Sequence, residues 1–136
     1  MDDAGRVLVV DNDRAIASVV QSVLADAGFG VIVLTDVSST ALRALVDACA
    51  PDCVLLDGQG AGLYGTSWTD AAWLHDHCPP VQTIMFTADQ PSADEALDRI
   101  SSRSRRAAFA AVLTKPFDID DLIRVVADAI KLRAPA

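Results

Sequence analysis

Positive charge is what this sequence most lacks. Eleven Lys and Arg residues face nineteen Asp and Glu, a net charge of −8 over 136 residues. Phosphate backbones require a basic surface, so nucleic acid is excluded as the main partner. No apolar run approaches the roughly 18 residues of a membrane span. The opening MDDAGR is acidic where a secretory leader would be basic and then apolar. Cysteine is sparse: Cys49, Cys53 and Cys78 are odd in number and form no CxxC pair. Reduced thiols in a cytoplasmic protein are the plain reading. Neither GxxxxGK[ST] nor a GxGxxG after the first strand occurs, which removes a P-loop and a dinucleotide fingerprint. Aromatics reach only 5%, whereas hydrophobic residues make up 51% and charged residues 22%. That balance excludes disorder and suits strands covered on both faces, which read as continuous apolar runs.

What is present is an alternation, in a length that fits one domain spanning 1–136 with a core of about 5–133. Strands are expected at 6–11, 31–34, 53–56, 81–86 and, least clearly because it is alanine-rich, 107–113. Helices are expected at 14–27, from Ser38 or Ser39 to Pro51, at 67–77, at 92–102 and at 118–133. Their inward stripes are Ile16, Val19, Val20, Val23 and Ala27; Leu42, Leu45, Val46 and Cys49; Trp68, Ala72 and His75; Ala93, Ala96, Leu97 and Ile100; and Ile119, Leu122, Ile123, Val126 and Ile130. Five strands alternating with five helices predict an α/β fold: a doubly wound, five-stranded parallel sheet joined by right-handed crossovers. In such sheets the site lies beyond the carboxyl ends of the strands.

The first strand, VLVVDND, runs from four apolar residues straight into Asp11, Asn12 and Asp13. Burying such carboxylates is costly without a cation or a reaction to compensate. The third strand ends at Asp57, the fourth at Thr87 and the fifth at Thr114-Lys115-Pro116. Two carboxylates, a hydroxyl and an ammonium therefore converge from four strands. Close carboxylates raise each other's pKa, and a hard divalent cation relieves the repulsion; Mg²⁺ favours a few carboxylates plus water and phosphate oxygens. With Lys115, these are the parts that stabilise a transferring phosphoryl group.

With VLVVDND, PDCVLLD, TIMFTA and VLTKPF in this order, the chain resembles the CheY-like receiver domains of two-component response regulators over nearly its whole length. The resemblance implies strand order 2-1-3-4-5 and a phosphoacceptor, Asp57, served by a histidine kinase or phosphotransfer protein. It implies Mg²⁺ held by Asp11, Asn12, Asp57 and the backbone carbonyl of Gln59. Thr87 would hydrogen-bond the acyl phosphate, and Lys115, before a cis proline bond, would pair with a phosphoryl oxygen. A downstream protein or a second copy would dock on the fourth helix, fifth strand and fifth helix. The module would carry no output domain of its own, or be one part of a longer regulator. It would be a signalling domain rather than an enzyme.

Departures from the family pattern are equally specific. Asn12 stands where a second acid is usual, predicting weaker Mg²⁺ binding. Val112 occupies the place of the switch aromatic, three residues before Lys115. Ala61 replaces a usual proline within the glycine-rich GQGAGLYG, and SSRSRRAAFAA lengthens the stretch between Thr87 and Lys115. Arg99, Arg103, Arg105 and Arg106 there form either a solvated helix face or a docking surface. Asp13 reads as a helix cap. His75-Asp76-His77-Cys78 reads as a surface helix end, since positions i and i+2 do not share a helix face. Two alternatives remain: a degenerate receiver that works without phosphate, and a haloacid-dehalogenase-like phosphatase using Asp11 and Asp13.

Overall fold

Four consecutive residues of the first strand, Val7 to Val10, are buried, because helices cover both faces of the sheet that contains them. A computed structural model describes residues 5–36, 38–57 and 67–132. The elements are β1 (Arg6–Val10), α1 (Arg14–Asp26), β2 (Gly30–Leu34), α2 (Ser39–Cys49), β3 (Cys53–Asp57), α3 (Ser67–His77), β4 (Gln82–Thr87), α4 (Gln90–Ala96), α5 (Ser102–Ala107), β5 (Ala111–Thr114) and α6 (Ile119–Leu132). All strand pairs are parallel, in the order β2-β1-β3-β4-β5. This is the expected doubly wound α/β fold.

Register assigns each strand residue to a face. Val7 pairs with Cys53, Asp57 with Phe86, and Phe86 with Leu113; paired residues of parallel strands point the same way. One face therefore carries Val7, Val9, Cys53, Leu55, Ile84, Phe86 and Leu113, packed against Val20 and Leu24 of α1 and Leu122 and Val126 of α6. The other carries Leu8, Val10, Val54, Leu56 and Met85, packed against Leu42, Val46, Trp68, Ala71, Leu74, Ala96 and Ala107 from α2 to α5. Each large side chain so buried contributes about 1.5–3 kcal/mol. Two residues beyond Val9 and Leu113 on the same strand lines come Asp11 and Lys115, and two beyond Leu55 comes Asp57. The α1/α6 face thus delivers these three residues to one end of the sheet.

Local chemistry sets the helix ends. The side chains of Asp13, Ser38, Asp89 and Ser101 cap α1, α2, α4 and α5 by accepting backbone N–H groups of the first turn. Ala50, at φ 47°, closes α2 in the left-handed region, and Pro51 prevents its continuation.

Several expectations are corrected. The single helix at 92–102 is two short helices, so six helices rather than five are described. Asp89 with Pro91 starts α4 early. Asp98 then accepts the Ile100 N–H at 2.8 Å, a local turn that competes with the helix. Ser101 caps the restart. Leu97 and Ile100, expected inside, are exposed, Ile100 at 87%. The fifth strand covers Ala111–Thr114, not 107–113: Ala107 ends α5 and Ala108 takes a left-handed φ of 53°. Alanine has too little preference for strand to hold the longer assignment. Helix α3 buries Trp68, Ala71 and Leu74 instead of Trp68, Ala72 and His75. Its buried Asp70 is matched by the Ser39 hydroxyl at 2.6 Å. Val19 and Ile119, expected to face the core, are exposed.

Candidate functional site

Asp11 follows β1 directly, and its amide donates to Leu34 O at 3.1 Å, which continues the β1–β2 ladder by one step. Its carboxylate is fully buried. Oδ1 accepts the Asp13 N–H at 2.9 Å, and Oδ2 accepts Lys115 Nζ at 3.0 Å. Asp57 closes β3, 5% exposed. Its Oδ1 accepts the same Nζ at 3.2 Å, and its main-chain oxygen accepts the Ser67 hydroxyl at 2.7 Å. Lys115 is anchored by its own amide, which donates to Thr87 O at 2.7 Å, and the Lys115–Pro116 bond is cis. Residues 46 and 58 positions apart in the chain, Asp11 from Asp57 and Asp57 from Lys115, thus share one ammonium.

This pocket holds two carboxylates against one lysine. Burial pushes the Asp11 carboxyl above its ordinary value; the Asp13 amide and Lys115 pull it down, and the charge of Asp57 pushes it up again. A pocket that leaves an acid in that state favours an added cation. Asn12 is exposed at the mouth, where its amide brings an oxygen and no charge. Asp13, also exposed, spends its Oδ1 on the Ala15 and Ile16 amides at the start of α1. It is the expected cap and not a second pocket acid. Gln59 and the glycine-rich loop lie outside the described residues. Thr87 is fully buried at the end of β4, and its Oγ1 accepts the Asp89 N–H at 2.9 Å.

Three contributors escaped the sequence reading. Ser67 anchors the Asp57 main chain. The Phe86 ring lies 4.4 Å from Lys115 Nζ, and Phe117 packs on Phe86 with ring centres 6.3 Å apart. Phe86 was visible in principle: it is a rare aromatic in TIMFTA, beside Thr87. Only the β3–β4 register shows it flanking Asp57.

In front of the pocket a groove of about 840 Å³ runs between α1 and the segment after Lys115. Its walls include Asn12, Ile16, Val19, Phe117 and Ile119, which explains where the two displaced apolar residues went. Elsewhere, Arg103 chelates Glu95 through Nε at 2.5 Å and a second nitrogen at 2.6 Å, and lies 4.6 Å over the Trp68 ring. It is a structural bridge, while Arg99, Arg105 and Arg106 are exposed. His77 stacks on Trp73 with ring centres 5.1 Å apart, the surface helix end expected. Val112 is half-buried against the α2–α5 face. No helix among the described residues is long and apolar enough to cross a membrane.

An acidic pair sharing one lysine at the carboxyl edge of a 2-1-3-4-5 sheet defines a class, the CheY-like receivers. The chain belongs to the response regulator receiver domain family, whose model matches residues 7–127. Members are signalling domains of two-component systems, which receive signals from histidine kinases, pass them to effectors and bind Mg²⁺ at their phosphorylation site. Similar solved structures include NtrX from Brucella abortus in complex with ATP, 23% identical with TM-score 0.74, covering 94% of this chain and 27% of that one. A response regulator from Thermotoga maritima is 23% identical with TM-score 0.73, covering 93% and 97%. A CheY-like receiver domain protein from Methanospirillum hungatei is 20% identical with TM-score 0.74, covering 93% and 94%. The chain spans about a quarter of the length of the NtrX chains it matches. No curated protein matches it.

Proposed function

We propose that this receiver accepts a phosphoryl group on Asp57 from the phosphohistidine of a kinase or phosphotransfer protein. The observation carrying this reading is the Lys115 ammonium held at 3.0 Å from Asp11 and 3.2 Å from Asp57. In the transfer, an Asp57 carboxylate oxygen attacks phosphorus, the P–N bond to histidine breaks, and an acyl phosphate forms. Lys115, already beside the carboxylate, pairs with a phosphoryl oxygen and offsets the charge that arrives with it. Thr87 offers its hydroxyl to the phosphorylated aspartate from the neighbouring strand end.

The donor set suits Mg²⁺: Asp11 and Asp57 are hard carboxylate ligands, buried with a single lysine to balance them, and Asn12 adds a neutral amide oxygen. Gln59, through its backbone carbonyl, completes the set we assign. The ion when bound would neutralise charge on the phosphoryl oxygens. We read residues 1–136 as one receiver module whose groove beside Asn12 admits the phosphodonor. Its α4–β5–α6 side, extended by the extra helix α5, is the side that meets a downstream protein or a second copy.

The test is intact-mass measurement after incubation with acetyl phosphate and Mg²⁺. The expected result is a gain of one phosphate in the wild type and none in Asp57→Ala; no gain, or a gain that survives the substitution, overturns the reading. A second prediction concerns Asn12: Asn12→Asp adds a charge at the mouth and should tighten Mg²⁺ binding on the order of tenfold in titration calorimetry. An unchanged dissociation constant refutes the weak-site assignment.

A receiver that works without phosphate draws on the neutral Asn12 and the non-aromatic Val112. It predicts an amide NMR spectrum that beryllofluoride leaves unmoved. The phosphatase alternative would use Asp11 and Asp13 together; against it, the Asp13 carboxylate caps α1 through the Ala15 and Ile16 amides, and Asp57 is the acid that shares Lys115 with Asp11.

A further inference from the structure

We propose that Phe86 is a positioning residue for Lys115: its ring holds the ammonium between Asp11 and Asp57 by a cation–π contact. The proposal rests on the phosphoacceptor reading only for its kinetic consequence. Lysine carries its charge on a flexible four-carbon stem, so two ion pairs alone do not confine it. Lys115 lies beside a groove of about 840 Å³ into which the side chain could swing. On the inner side, the Phe86 ring sits 4.4 Å from Nζ, well within the roughly 6 Å over which the ring's negative face attracts a cation. The ring cannot turn away. It is fully buried and lies against Phe117, at 54° to its plane.

The ring differs from Asp57 in one respect that matters for phosphoryl transfer. When Asp57 becomes an acyl phosphate, one of the two carboxylate partners of Lys115 is consumed and new oxygens must be met. Phe86, like Asp11, attracts the ammonium before and after, and it does so from a direction that the incoming phosphoryl group does not occupy. The role is more exposed here because Asn12 adds no negative charge to the pocket. Desolvation strengthens the contact: Lys115 is 11% exposed, and the two acids 0% and 5%.

The test replaces Phe86 by 3,4,5-trifluorophenylalanine, which empties the negative face of the ring and nearly keeps its shape; Phe86→Leu is the second variant. Lys115 and Lys131 are the only two lysines in the chain, so their side-chain NMR signals can be assigned unambiguously, with exposed Lys131 as the internal reference. In the wild type the Lys115 ε-methylene protons should be shifted upfield by the ring and have a high order parameter. In the fluorinated protein the order parameter should fall towards that of Lys131, the thermal midpoint should stay put, and phosphorylation by acetyl phosphate should slow about fivefold to tenfold. Lys115 signals that coincide with those of Lys131 in the wild type overturn the proposal. So does a fluorinated protein with unchanged order and wild-type rate. If no variant, wild type included, takes up phosphate, the phosphoacceptor reading falls, and the NMR comparison still decides the role of Phe86.

Discussion

On the α1/α6 face of the sheet, long apolar side chains do nearly all the work: Leu24, Phe86, Leu122 and Val126 are buried together, and Asp11, Asp57 and Lys115 rise from the same strand lines at its edge. On the opposite face, α4 and α5 are short and bury only small apolar side chains, Ala93, Ala96 and Ala107, and polar side chains tie them down. Ser104 donates to Ala96 O at 3.0 Å, Ser101 donates to Glu95 at 2.8 Å, and Arg103 clamps Glu95 while stacking on Trp68. The first arrangement gains stability from area and places a charged pocket on a stiff base. The second has less apolar area available, so specific hydrogen bonds take over, each worth much less once the competing water is counted. The pocket and α6 stand on the first side, and α4 and α5, held by fewer apolar contacts, are the helices expected to open more readily.

Breaking each side separately tests that contrast. Leu122→Ala removes a fully buried side chain from the α1/α6 core and should cost about 2–5 kcal/mol in urea unfolding. A loss below 1 kcal/mol would show that this face is not the base of the fold. Ser104→Ala leaves Ala96 O without its donor and should cost about 1 kcal/mol, read from the same curves. If it matched the leucine, the ordering of the two faces would be wrong. Glu95→Gln breaks a half-exposed ion pair and should cost only a few tenths of a kcal/mol, diminishing with added salt.

The two regions also contain carboxylates shifted in opposite directions, so pH separates them. Arg103 beside Glu95 holds its carboxyl below the ordinary value. The stability it contributes is full above the usual glutamate range and is lost as pH falls through the lowered value. Burial raises Asp11. Its contribution is full below the usual aspartate range and is lost as pH rises through the raised value. In EDTA, acidification from about pH 7 should therefore shrink the wild type's advantage over Glu95→Gln and improve the wild type relative to Asp11→Asn. Two differences moving in the same direction would undo the electrostatic account of one region.

The same division marks what could be read in advance. Strands β1, β3 and β4 were legible because double-sided burial writes uninterrupted apolar runs, and each ends in a candidate site residue: Asp11 just past β1, Asp57 and Thr87 at the last positions of β3 and β4. The alanine-rich segment at 107–111 was not, since alanine is a strong helix former and a weak strand former, so its run carries no strand signal of its own. Helix α3 was placed correctly along the chain and turned wrongly: Trp68, Ala71, Leu74 and Trp68, Ala72, His75 are both helical spacings, and the part-buried Ser39–Asp70 bond between helices shows which face is inside. Val19 and Ile119 fit their apolar stripes and face the groove instead of the core.

By itself the sequence determined the order of elements except the break of the fourth helix into two, the doubly wound topology and the identity of the charged residues at the strand ends, because periodicity and chain-local capping are properties of neighbours. Only the tertiary structure decided that one lysine lies between Asp11 and Asp57 and that Phe86 flanks it. Those are facts of strand register and side-chain direction, set by packing between segments up to 104 positions apart, and no local pattern encodes them.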